Sequence, residues 1–114
     1  ETMIFDEIDT GVSGRVSQRM AEKMYQLGVG SQVLCISHLP QTTALADTNL
    51  LISKEIIDKR TLTVIRELSE DEKIAEVARM VSGDTMTKLS EEHSIEMLRL
   101  AEKTKAEIKE KLNK

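Results

Sequence analysis

The segment MIFDEIDTGVSG, residues 3–14, limits what this chain can fold into more than any other stretch. A short run rich in strand formers, TMIFD at 2–6, leads straight into Asp6, Glu7 and Asp9 and then into a glycine-bearing turn. Such a run reads as a strand buried on both faces, as in a parallel sheet. Charge is costly beside a buried segment unless something uses it. The next stretch, RVSQRMAEKMYQLG, places Val16, Met20, Met24 and Leu27 four, four and three residues apart, one apolar stripe on a helix. Gly28 is expected to stop that helix in a left-handed conformation. QVLCIS, residues 32–37, reads as a second buried strand. Strand, helix and strand in this order form a βαβ unit, so the two strands should be parallel with a right-handed crossover.

Beyond SHLPQ the pattern weakens. QTTALA suits one or two helical turns, and NLLISKEI (49–56) and TLTVIREL (61–68) read as an antiparallel hairpin turning at IDKR. SEDE, residues 69–72, matches a capping box with Ser69 as cap and Glu72 three residues on. Ile74, Val77, Ala78 and Val81 then share one helical face, and Gly83 ends the helix. Residues 88–112 read as a longer helix with a broken stripe of Ile95, Leu98, Ala101, Ile108 and Leu112. From Glu102 onward its surface is mostly charge, which predicts a solvated extension or a partner-seeking end. The expected fold class is α/β: a small, mainly parallel sheet with helices, an antiparallel hairpin at one side and a helical C-terminus.

Composition narrows the function classes. The 114 residues suit one small domain, and 39% hydrophobic residues allow a modest core. Phe5 and Tyr25 are the only aromatics, so that core must be aliphatic, with Met20, Met24 and Met80 as filling. The net charge of −4 and the shortage of aromatics argue against broad phosphate-backbone binding or a base-stacking platform. The single Cys35 excludes an intrachain disulfide framework and fits a reducing compartment. No run approaches the roughly 18 apolar residues of a membrane span. The chain starts with Glu1, not Met, so a fragment of a longer protein is expected.

A parallel strand that ends in two carboxylates presents them at the C-terminal edge of the sheet, where open α/β sheets bind ligands. Asp6 suits a hydrated Mg²⁺, because hard cations take oxygen ligands and Mg²⁺ keeps several waters. Glu7 should point away from Asp6 if the strand persists, leaving it to orient and deprotonate a water. Four apolar residues followed by Asp-Glu is the general Walker B pattern of P-loop ATPases. The same residues also suit an ordinary helix-initiating turn, because acids are favoured near helix N-termini. His38, at the end of the second parallel strand, should share the edge with Asp6 and Glu7 and could sense a terminal phosphate. Its plainer role is a strand-end histidine bonded to backbone. Cys35 and His38 sit three apart and should face opposite sides of a strand, so Cys35 reads as a small buried residue. His93 lies with Glu92 and Glu96 on a helix face that reads as solvated.

FDEIDTGVSG, then a helix, then CISHLPQ resembles the C-terminal part of the RecN family of bacterial DNA double-strand-break repair ATPases, relatives of SMC proteins. The resemblance spans residues 3–85 or so and keeps the order and spacing of the motifs. It implies that Asp6 is the Walker B aspartate on Mg²⁺ and that Glu7 polarises the attacking water. It implies that DTGVSG, with Gly11, Val12, Ser13 and Gly14, is the D-loop that crosses to a second head domain in an ATP-sandwiched homodimer. It makes His38 the switch histidine at the γ-phosphate. Many SMC relatives lack a histidine there, so SHLPQ favours RecN among them. A bacterial, cytoplasmic and nucleoid-associated setting is implied, with DNA contacted through other regions.

The pattern is incomplete. None of the five glycines leads into a Gly-Lys-Ser/Thr phosphate loop. The LSGGE-type signature is missing too; VSGR (12–15) and VSGD (81–84) match only its first half. Residues 1–114 are therefore expected to be the distal segment of an ABC-type ATPase head. By itself such a segment is expected to be inactive on ATP and prone to dimerise or swap elements through uncovered apolar surface. Two other readings stay open: a head fragment of another SMC or ABC-type ATPase, and a non-catalytic interaction module whose acidic turn only caps a helix.

Overall fold

The structure, a computed structural model, describes residues 1–8, 11–83 and 87–113. In chain order the elements are β1 (Thr2–Asp6), α1 (Gly14–Gly30), β2 (Gln32–Ile36), α2 (Pro40–Leu45), β3 (Leu50–Ile57), β4 (Arg60–Glu67), α3 (Glu70–Ser82) and α4 (Lys88–Leu112). β1 and β2 pair in parallel, from Thr2 opposite Gln32 to Asp6 opposite Ile36. α1 is the crossover between them and packs on β2. The expected βαβ unit is therefore present.

The mainly parallel sheet is not. Among the described residues the strands form two separate two-stranded sheets, β1–β2 and the antiparallel hairpin β3–β4. The hairpin runs from Leu50 opposite Glu67 to Ile57 opposite Arg60. Asp58 and Lys59 link its strands, and both have positive φ, 50° and 63°. That is the signature of a type I′ turn, whose twist matches that of the strands. Hairpin and parallel pair each carry their own local pairing signal, but nothing in either signal joins one pair to the other. The expectation that β1 is buried on both faces also fails. Ile4 is 67% exposed, and Leu34 and Ile36 are exposed beside it, whereas Met3, Phe5, Val33 and Cys35 alternate with them as half-buried residues. One face of the parallel pair is thus covered and the other is open. Cys35 is half-buried, not enclosed as expected.

The core lies among the helices. Ala21, Ala44, Leu45 and Ala101 cluster where α1, α2 and α4 meet, with Leu98 packed against them. The buried face of α1 is Ser17, Ala21 and Met24. The expected stripe is displaced by about one residue, leaving Val16 and Leu27 exposed. Small residues explain the shift: alanines at 21, 44 and 101 let three helices approach closely, which bulkier side chains would prevent. Gly28 does not stop α1 either. The helix runs to Gly30, and Gly28 lies against Val33, with a Cβ built there 3.9 Å from the valine side chain.

α3 forms as its sequence dictates. Ser69 Oγ accepts from the Glu72 N–H, and Glu72 Oε1 accepts from the Ser69 N–H at 3.0 Å. Gly83 terminates the helix at φ 86°. Val77 and Ala78 are fully buried against α4. α4 matches its expected span, but its C-terminal half is not a solvated extension. Lys105 and Ile108 are buried, in register with Ser90, Ser94 and Ala101.

Candidate functional site

Three chain segments converge at the C-terminal edge of β1 and β2. β1 ends at Asp6, and the Glu7 N–H then donates to the Ile36 carbonyl at 2.8 Å, which adds one bond to the ladder. Glu7 itself has φ 51°, a left-handed conformation that non-glycine residues adopt at a cost of about 1–3 kcal/mol. The strand therefore does not persist through Glu7. The side chain is re-aimed by the backbone, not by strand alternation. β2 delivers the second segment, and Glu7 Oε1 lies 3.7 Å from His38 Nδ1. Both side chains remain more than half exposed. The expected meeting of carboxylate and imidazole at one rim is what the geometry gives.

Behind His38, the Leu39 N–H donates to Ser37 Oγ at 3.1 Å, and Pro40 opens α2. Thr43, Ala44 and Leu45 bury α2 in the core, so the histidine is carried on a short, firmly seated arm. The third segment is the glycine turn. Gly11 has φ 80°, a region that suits glycine. Ser13 caps α1, its Oγ accepting from the Val16 N–H at 3.3 Å. Ser17, almost fully buried, donates to the Gly14 carbonyl at 3.1 Å and fixes the first turn. Asp9 and Thr10 of DTGVSG, and Asp84 of VSGD, lie outside the described residues. Gly11, Val12, Ser13 and Gly14 are all exposed.

The capping reading of the acidic turn does not match this arrangement. Ser13 performs the capping, and the first turn of α1 holds no acid. Asp6 is exposed at the strand end, and no ion pair joins it to another described residue. An exposed carboxylate at a strand end suits Mg²⁺, which binds through one or two carboxylates and takes its other ligands from water and phosphate. Among the described residues no three ligating side chains cluster as a metal cage. His93 stands on an exposed face of α4, as expected.

A second polar cluster was missed by sequence reasoning. Lys105 Nζ lies 3.0 Å from both Asp47 Oδ1 and Glu102 Oε1, and 5.7 Å from the Tyr25 ring centroid. Burial opposes its charge, but Asp47 and Glu102 outweigh that and raise its pKa. Lys73 donates to the Ala46 carbonyl at 2.7 Å, and burial, aided by the nearby Lys105 cation, lowers its pKa. The available signal was spacing: residue 105 falls in the inward register of Ala101 and Ile108 on α4.

No protein-family model matches the chain. Individual proteins do. It is 53% identical over 104 residues, 91% of its length, to the DNA repair protein RecN of Bacillus subtilis. To that of Halalkalibacterium halodurans it is 57% identical over 100 residues, 88% of its length. To that of Rickettsia conorii it is 39% identical over 99 residues, 87% of its length. The chain is a homologue of RecN. It spans about a fifth of the length of these curated relatives, 18% in each case. The extent and level of identity agree with a segment from the C-terminal part of a RecN protein. Among the described residues no helix is long and apolar enough to cross a membrane.

Proposed function

We propose that residues 1–114 are the Walker B, D-loop and switch-histidine segment of a P-loop, ABC-type ATPase head acting in recombinational DNA double-strand-break repair. The observation that carries this reading is the pairing of Glu7 with His38, 3.7 Å apart at the C-terminal edge of a parallel strand pair. Open α/β sheets bind their ligands at that edge.

In this reading Asp6 holds the Mg²⁺ of MgATP through water. The metal, when bound, neutralises charge developing on the phosphates. Glu7 orients the attacking water and accepts its proton. His38 donates a hydrogen bond to the terminal phosphate and reports its presence. Gly11 to Gly14 meet a second head domain in a homodimer, and DNA is held by other regions of the whole protein. The site as it stands is open to water. Its desolvation then depends on the phosphate-binding part of the head and on the second head.

The test is Glu7→Gln in a full-length RecN-type protein that carries this segment. Hydrolysis should fall by at least a hundredfold, ATP should remain bound, and the nucleotide-dependent dimer should persist. Turnover within twofold of wild type would reduce Glu7 to a turn residue and end the catalytic reading. The 114-residue chain alone should show no Mg-dependent turnover, because it offers no phosphate-binding loop.

A further inference from the structure

The imidazole of His38 has little around it to fix its direction. Its side chain is more than half exposed, and the Glu7 carboxylate beside it, 3.7 Å away, is also more than half exposed. Between solvated groups a contact of that length is too weak to hold either one. The direction of the ring must come from the backbone that carries it. That backbone is anchored on both sides. Before it, β2 ends at Ile36, whose carbonyl accepts the Glu7 N–H at 2.8 Å. After it, the Leu39 carbonyl accepts the Thr43 N–H at 3.2 Å and the Thr43 hydroxyl at 3.1 Å, and Thr43 is buried in the core. Pro40 keeps Leu39 extended, at φ −101° and ψ 139°. Only Ser37 and His38 lie between the two anchors. Ser37 Oγ accepts the Leu39 N–H at 3.1 Å, so its side chain closes a turn with His38 at the centre.

We propose that Ser37 is a positioning residue for His38, its hydroxyl closing the turn that aims the imidazole at the rim shared with Glu7. The inference rests on the ATPase reading above and adds a residue that acts only through the histidine. Without the hydroxyl, water takes over the Leu39 N–H and the two-residue arm gains freedom. The histidine then stands in its working direction for a smaller share of the time. The cost falls on what the histidine does with the terminal phosphate, not on binding of the rest of the nucleotide.

The experiment is a double-mutant cycle of Ser37→Ala and His38→Ala in the full-length protein, read as kcat for ATP and Kd for ADP, which lacks the terminal phosphate. Ser37→Ala should lower kcat about five- to tenfold, the scale of one lost backbone hydrogen bond. Its Kd for ADP should stay within twofold of wild type. In the His38→Ala background the same change should cost less than a further twofold, because the group it positions is gone. Ser37→Thr, which keeps the hydroxyl, should restore kcat to within twofold of wild type. A wild-type kcat for Ser37→Ala, a full further loss in the His38→Ala background, an ADP affinity that falls in step with kcat, or a Ser37→Thr as impaired as Ser37→Ala would each overturn the proposal. Glu7→Gln is assayed alongside. If Glu7→Gln hydrolyses normally, the ATPase reading itself falls; if it is inactive while Ser37→Ala is normal, only the role of Ser37 falls.

Discussion

Replacing Lys105 separates two reasons for its burial in α4. The side chain is only 7% exposed, whereas its partners Asp47 and Glu102 are 66% and 71% exposed. Removing the ammonium therefore leaves two carboxylates that water can solvate, and the loss should resemble that of a surface pair, ~1 kcal/mol or less. The stem is different. Lys105→Ala deletes three packed methylenes worth ~0.8 kcal/mol each and leaves a cavity, offset by up to ~2 kcal/mol of side-chain entropy no longer lost on folding. The expected cost is about 2 kcal/mol for Lys105→Ala and about half that or less for Lys105→Met, which keeps most of the stem. Urea unfolding followed by far-ultraviolet circular dichroism measures both. Tyr25 is the only tyrosine and the chain has no tryptophan, so tyrosine fluorescence reports the cluster directly. The raised pKa of Lys105 adds a sign: its ionic contribution is full below the ordinary lysine value of 10.5 and is lost as pH rises through the higher folded value. The stability difference between wild type and Lys105→Met should shrink over that alkaline window. Equal destabilisation by Met and Ala would mean that charge, not packing, holds α4. A cost below about 0.5 kcal/mol for Ala would mean that the C-terminal half of α4 is the solvated extension its composition suggests.

Two further predictions concern local structure. Glu72 has a lowered pKa, chiefly from the Ser69 backbone N–H and then from Arg66. Its contribution is present above the unfolded value near 4.5 and is lost as pH falls through the lower folded value. Glu72→Gln, which can still close the capping box, should flatten the acid limb of a thermal-unfolding series; an unchanged limb would refute the assignment. Lys59→Gly should stabilise the chain by about 0.5–1 kcal/mol in urea unfolding, because a side chain at φ 63° is strained while glycine is not; destabilisation would contradict the I′ turn.

What the sequence made legible was local. The capping box at Ser69 and Glu72, the stop at Gly83, the hairpin and the βαβ unit each follow from a pattern a few residues long. What it hid was set by packing. The apolar stripe of α1 named Val16 and Leu27, but the helix buries Ser17 and Ala21, because close approach of three helices favours small side chains over greasy ones. Lys105 looked like part of a solvated run because composition counts its charge and ignores its register. Separation of the two strand pairs was equally hidden, since no local signal says which strand edges remain unpaired. At the rim, Asp6, Glu7 and His38 were legible as strand-end residues, whereas the left-handed backbone that aims Glu7 was not.

The plainest alternative for the acidic turn is a helix start. If its charge served only to start α1, an acid should occupy the cap or the first helical turn. Ser13 holds the cap, and the first turn has no acid. If Glu7 were simply a turn residue, glycine or asparagine would meet φ 51° with less strain. Instead a glutamate is held in that conformation, beyond the strand end, with its carboxylate 3.7 Å from an imidazole delivered by the neighbouring strand. Local preference is overridden twice at one rim, once in backbone geometry and once in charge placement. Such conflicts concentrate at sites where function, not stability, selects the residue. The strain at Glu7 is thus a reason, independent of motif likeness, to look for chemistry there.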